Sequence, residues 1–114
     1  LVPLDLPEPE PAGGALTGHV LFLDRYGNAA LDVRPSHLEG LVPPGAEAVR
    51  LGAGGREATV RLGRAFGDVP PGEIVLLPDS TGRLAIAVNR GDAAARLGLR
   101  PDDEVVIAPV ASGG

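Results

Sequence analysis

The stretch LTGHVLFLDRYGNAALDV (residues 16–33) decides how the chain is read. Two apolar runs, 16–24 and 29–33, flank a polar cluster of Asp24, Arg25, Tyr26, Gly27 and Asn28. Short apolar runs broken by Gly, Asn and Asp mark strands joined by a turn. A hairpin tip asks little of its residues: Asn28 tolerates left-handed backbone angles and Asp24 caps a turn. Yet this tip holds a carboxylate, a ring and an amide together. Such a set can hold a cation, stack on a flat ligand, and pair with the N6 and N7 edge of an adenine. The residues alone leave both readings open.

The same rhythm runs through the rest of the chain. EAVRL (47–51) and EATVRL (57–62) flank GAGG, a hairpin signal. EIVLLPD (73–79) and RLAIAVN (83–89) flank a turn, and DEVVIAPV (103–110) reads as a last strand. DAAARLG (92–98) reads as a short helix stopped by Gly98, and PSHLEGL (35–41) as one helical turn capped by Ser36. The expected fold is all-β: a small antiparallel β-barrel of about seven strands with one or two short helices.

The 114 residues suit one domain, and 44% hydrophobic content is globular rather than disordered. Residues 1–14 hold four Pro and two Gly and read as an extended linker, so that something is expected to precede them. The expected layout is therefore a linker at 1–14, a barrel at 15–110 and a frayed tail at 111–114. All ten basic residues are Arg, scattered along a chain of net charge -5, which argues against a nucleic-acid groove. There is no Cys, so neither disulfides nor thiol chemistry arise. No apolar run approaches a membrane span, and no signal peptide is visible. His19 and His37 lack partner ligands at metal spacing, so no metal site is expected.

The aromatic residues are few: Phe22, Tyr26 and Phe66. Phe22, in mid-strand, reads as core. Tyr26 and Phe66 sit in or beside turns, where they either cover a barrel end or stack a flat ligand. Asp79, Ser80, Thr81 and Gly82 form a turn whose hydroxyls and N–H groups suit a carboxylate, or simply an ordinary hairpin loop. Asn89 reads as a possible cap for the following helix.

Three segments together resemble one family. GHVLFLDRYGNAALDV (18–33), FGDVPPGEIVLLPDSTGRLAIAVNRGDAAARLGL (66–99) and DDEVVI (102–107) are similar to the C-terminal domain of adenosine-forming S-adenosylmethionine (SAM) hydrolases, relatives of the fluorinases and chlorinases. The resemblance implies a β-barrel that follows a larger α/β domain, in a cytoplasmic homotrimer whose ligand lies between neighbouring subunits. It implies SAM as substrate, with no cofactor, no nucleic acid and no membrane. Position by position, it assigns Asp24 to the methionine ammonium, Asn28 to the adenine edge, and Tyr26 and Phe66 to the surroundings of the adenine. Ser80 and Thr81 match the turn at the amino-acid end, and Asn89 and Arg90 the strand end near adenine, Arg90 through its backbone. The halogenases have an extra residue between the Asp and the Asn, and Arg where Thr81 stands, so the hydrolase branch is the nearer likeness. Asp32 stands where the family often has Asn. The family's Asp–Arg–His set belongs to the other domain, so no catalytic residue is assigned here, and this chain alone is expected to be inactive. Two other readings are a PDZ-like peptide-binding module, suggested by GDAAARLGLRPDDEVVI, and a purely structural trimerisation barrel.

Overall fold

A computed structural model describes residues 10–12, 14–43 and 45–110. Positions 1–9 and 13 of the expected linker and the tail at 111–114 lie outside the described residues, while positions 10–12 of that linker form a strand instead. The strands are β1 (Glu10–Ala12), β2 (Ala15–Leu23), β3 (Ala29–Leu31), β4 (Ala48–Ala53), β5 (Arg56–Leu62), β6 (Ile74–Pro78), β7 (Leu84–Val88) and β8 (Glu104–Pro109). Among the described residues, helical structure is limited to α1 (Ala93–Leu97) and two 3-10 turns, Pro35–Leu38 and Phe66–Asp68.

The sheet runs β2-β3-β7-β6-β5-β4-β8, and β8 pairs back onto β2, closing a seven-stranded barrel. The closing seam sets Leu16 opposite Ile107 and Gly18 opposite Val105. β1 adds a short edge strand to β2, with Glu10 opposite Thr17. Inward positions are aliphatic throughout: Leu16, Val20, Leu31, Val49, Val60, Leu76, Ile86 and Ile107 are almost wholly buried. Leu38, Ala93 and Leu99 join the same core from the helical turns and the loop after α1. Burial of such side chains from both ends and all walls is the main stabilising contribution.

One pair departs from the expected antiparallel pattern. β5 and β6 run parallel, Arg61 beside Val75 and Leu62 beside Leu76. The cause is the connection 63–73. It holds a 3-10 turn and the PPG turn and carries the chain across, where a hairpin would have reversed it. That connection also covers the outer face of β6 and β7, where Val69, Val75, Leu77 and Ala87 form a second small cluster. Both strands are thus buried on both faces, which explains their unbroken apolar runs.

Local chemistry fixes the turns. Asp92 caps α1 by accepting from the Ala95 N–H at 2.9 Å, and Gly98 ends it at φ 67°. Ser36 lies inside its 3-10 turn and does not cap it. The His37 Nδ1 takes that role, accepting from the Arg34 N–H at 2.9 Å.

Candidate functional site: a cleft on the outer barrel wall

Phe22 belongs to this site and not to the core. In β2 the positions Leu16, Gly18 and Val20 face inward, so simple alternation would bury Phe22. The β2–β3 register shifts between Val20, opposite Leu31, and Phe22, opposite Ala30. Leu21 is the extra residue of a β-bulge, and one inserted residue turns the following side chains to the other face. Phe22 therefore stands on the outer wall, 54% exposed.

Beside it lies a cleft of about 490 Å3. Its floor is built from Ala30 on β3, Ala85 and Ala87 on β7, and Leu77 on β6. Phe22 flanks it on one side, and the segment Arg64–Phe66 and Pro78 border it as well. Two turns supply its polar groups: Asp24 and Asn28 from the first, and Asp79, Ser80 and Thr81 from the second.

The first turn is organised by the Asp24 carboxylate. Its Oδ1 accepts from the backbone N–H of Tyr26 at 2.8 Å and of Asn28 at 3.0 Å. Its Oδ2 accepts from the Asn28 Nδ2 at 3.0 Å. A carboxylate only accepts, so the NH2 side of the Asn28 amide must face it. One amide hydrogen and the amide oxygen of Asn28 remain for a ligand, a donor and an acceptor side by side. Partial burial pushes the Asp24 carboxyl up, but the donors from Asn28, Tyr26 and Gly27 outweigh it and hold it below the ordinary range. Asp24 is therefore an anion at neutral pH.

The tip is seated on α1. The Ala94 N–H donates to the Gly27 carbonyl at 2.8 Å. Gly27 has φ 83°, and a β-carbon there would collide with the Asp92 carboxylate. Only glycine satisfies both conditions.

The second turn is organised by Asp79 in the same manner. Its Oδ1 accepts from the Thr81 N–H at 2.8 Å, the Thr81 hydroxyl at 2.6 Å and the Arg83 N–H at 3.2 Å. The Gly82 N–H donates to the Asp79 carbonyl at 3.1 Å. Burial raises the Asp79 carboxyl, yet the donors from Thr81 and Arg83 bring it below the ordinary value. The turn is thus nearer to the ordinary hairpin loop than to an open ring of N–H groups, the two readings its sequence allows. Thr81 spends its donors on Asp79, whereas Ser80 makes no intrachain hydrogen bond among the described residues.

Phe66 is held at the cleft by Asp68, which accepts from the Arg64 N–H at 2.7 Å and the Ala65 N–H at 3.2 Å. Those two bonds hold the Asp68 carboxyl below its ordinary value.

Of the residues singled out from sequence, Asp24, Asn28, Phe66, Ser80 and Thr81 meet at this cleft. Tyr26, Asn89 and Arg90 do not line it. Tyr26 is 64% exposed, with the Arg25 guanidinium 5.2 Å from its ring centre. Asn89 does not cap α1; its Nδ2 donates to the Val69 carbonyl at 2.8 Å. Arg90 is exposed in a left-handed turn, φ 58°. Asp32 is nearly buried away from the cleft, accepting from the His19 N–H at 2.7 Å. Phe22 escaped sequence reading because a one-residue bulge hides the face it occupies, and the alanine floor because a methyl group carries no chemical signature. Arg64 carries no pattern that would have marked it.

Residues 18–106 match the family described as SAM hydroxide adenosyltransferase C-terminal domain. The chain belongs to that family. It is 40% identical over 105 residues to an (R)-S-adenosyl-L-methionine hydrolase of Salinispora tropica, and 41% identical over 83 residues to one of Thermus thermophilus. These alignments cover 92% and 73% of this chain but only 37% and 28% of those proteins, so the chain spans about a third of the length of these relatives. An uncharacterized conserved protein from Thermotoga maritima has the same fold, with a TM-score of 0.85 and 33% identity over 91% of this chain and 40% of its own. As a C-terminal domain of the SAM hydroxide adenosyltransferase family, the chain has a closed barrel that carries the cleft on its outer wall. Among the described residues, no helix is long and apolar enough to cross a membrane.

Proposed function

We propose that this chain is the substrate-binding domain of a SAM hydrolase, and that the cleft takes the adenosyl group and the amino-acid end of SAM. The observation that carries the reading is the convergence of Asp24, Asn28, Phe66 and Ser80, from three separate segments, on one cleft. The free donor and acceptor of Asn28 match the N6 and N7 edge of adenine. Phe66 and Phe22 offer faces for the ring. The Asp24 anion suits the methionine ammonium, and Ser80 the groups beside it.

The reaction is displacement at the ribose 5′ carbon. A water or hydroxide oxygen forms the new C–O bond as the C–S bond breaks. The sulfonium sulfur leaves with the electron pair as the thioether of L-methionine, and adenosine results; a water nucleophile also releases one proton. The sulfonium is already a good leaving group, so positioning and exclusion of bulk water do most of what catalysis needs. In this reading the present chain binds and orients. A preceding domain, in keeping with the greater length of the relatives, supplies the second wall and directs the nucleophile, within a homotrimer of the whole protein.

The test is adenosine release from SAM, measured with this chain and with the complete protein. Turnover is expected only from the complete protein, and substantial turnover by this chain would contradict the division of labour. Asn28→Ala in the complete protein should weaken SAM binding by about 1–3 kcal/mol. Unchanged affinity would favour a purely structural barrel. A PDZ-like peptide groove gains nothing from the fold, since α1 has only five residues.

A further inference from the structure

The floor of the cleft follows from the strand register. Phe22 pairs with Ala30, Ala30 with Ala85, and Ala85 with Leu77. These four side chains form one lateral row across β2, β3, β7 and β6, and all four line the cleft. Neighbouring strands lie about 4.8 Å apart, so Phe22 and Leu77 stand about 14 Å apart at the backbone. The two positions between them carry only methyl groups. Ala87, on the same face of β7, extends the low floor. Outward positions on a barrel wall can carry long side chains, as Arg50 and Glu57 do on β4 and β5. At Ala30 and Ala85 the wall beside the cleft carries no more than a methyl group.

We infer that Ala30 and Ala85 are specificity-determining residues: their methyl groups leave a flat-floored slot between Phe22 and Leu77 that admits a planar ring, which a longer side chain at either position would fill. The inference rests on the adenosyl reading of the cleft and adds which residues decide what enters. A Leu at either position would project into space that the barrel core does not use. Such a change should block the ligand while leaving the core packing intact.

The experiment is a titration of the whole 114-residue chain with adenosine into the millimolar range, followed by the alanine methyl NMR signals, with thermal denaturation as the control for folding. Saturable shifts are expected at the Ala30 and Ala85 methyls. Ala85→Leu and, separately, Ala30→Leu should weaken adenosine binding by about tenfold or more at nearly unchanged Tm. Thr59→Leu, on the exposed face of β5 away from the cleft, should retain it. Should either Leu variant lose its fold, the smaller step to Val replaces it, with a smaller loss expected. Unaltered adenosine affinity in a folded Ala85→Leu and a folded Ala30→Leu would overturn the inference and leave the adenosyl reading standing. Absence of any saturable shift in the unaltered chain would overturn both.

Discussion

The carbonyl of Gly27 accepts from the Ala94 N–H at 2.8 Å, and this bond locks the 24–28 turn onto the first turn of α1. Gly27→Ala must place a methyl group into the Asp92 carboxylate at a backbone angle of 83°. The expected outcome is a loss of about 1–3 kcal/mol in stability. Asp24 and Asn28 flank Gly27, so adenosine binding should weaken as well. Denaturant unfolding and calorimetry on the same variant measure both.

Phe22→Ala separates the outer wall from the core. A core Phe truncated to Ala costs about 3–5 kcal/mol. Phe22 is more than half exposed, so the expected cost is under about 1 kcal/mol, with weaker adenosine binding. A large drop in Tm would return Phe22 to the interior.

The acid side of the stability profile should reflect Asp24, Asp68 and Asp79. Each is held below the ordinary value of 3.8 in the folded chain. A depressed folded pKa stabilises fully above the unfolded value, and that contribution is lost as pH falls through the folded one. Stability is thus expected to be flat near neutrality and to fall below about pH 4. Asp24→Asn should reduce the drop, as measured by Tm against pH.

Salt should distinguish SAM from adenosine. The cleft carries the carboxylates of Asp24 and Asp79 against the single guanidinium of Arg64. SAM is a net cation at neutral pH, whereas adenosine is neutral. Raising ionic strength should weaken SAM binding and leave adenosine nearly unaffected, because exposed charges are screened. Equal sensitivity of both ligands would remove the carboxylates from substrate recognition.

Much of the fold was legible because strand, turn and helix signals are local. The hairpin tips at Asp24–Asn28 and Asp79–Gly82 and the helix stop at Gly98 all act within a few residues of themselves, whereas the cap expected at Asn89 is supplied by Asp92. Long-range features were not legible. The parallel pairing of β5 with β6 depends on where the connection 63–73 lands after crossing the wall. The outward turn of Phe22 depends on a bulge whose partner lies on another strand. Of the residues named for their chemical character, Asp24, Asn28 and Ser80 line the cleft, whereas Tyr26, Asn89 and Arg90 do not. The alanines that shape the floor carry no chemical signature, and their meaning lies in the row they share.

Closure of the barrel also bears on behaviour at high concentration. A sheet closed on itself offers no unpaired strand to a neighbouring molecule. Among the described residues β1 pairs on one side only, with β2, and its central residue is Pro11. Proline has no N–H to donate, so a second chain docking there would meet an interrupted ladder. Replacing Pro11 with Val should restore that donor and favour edge-to-edge aggregation, visible as light scattering on concentration. The proline at the rim is thus expected to oppose polymerisation through that edge.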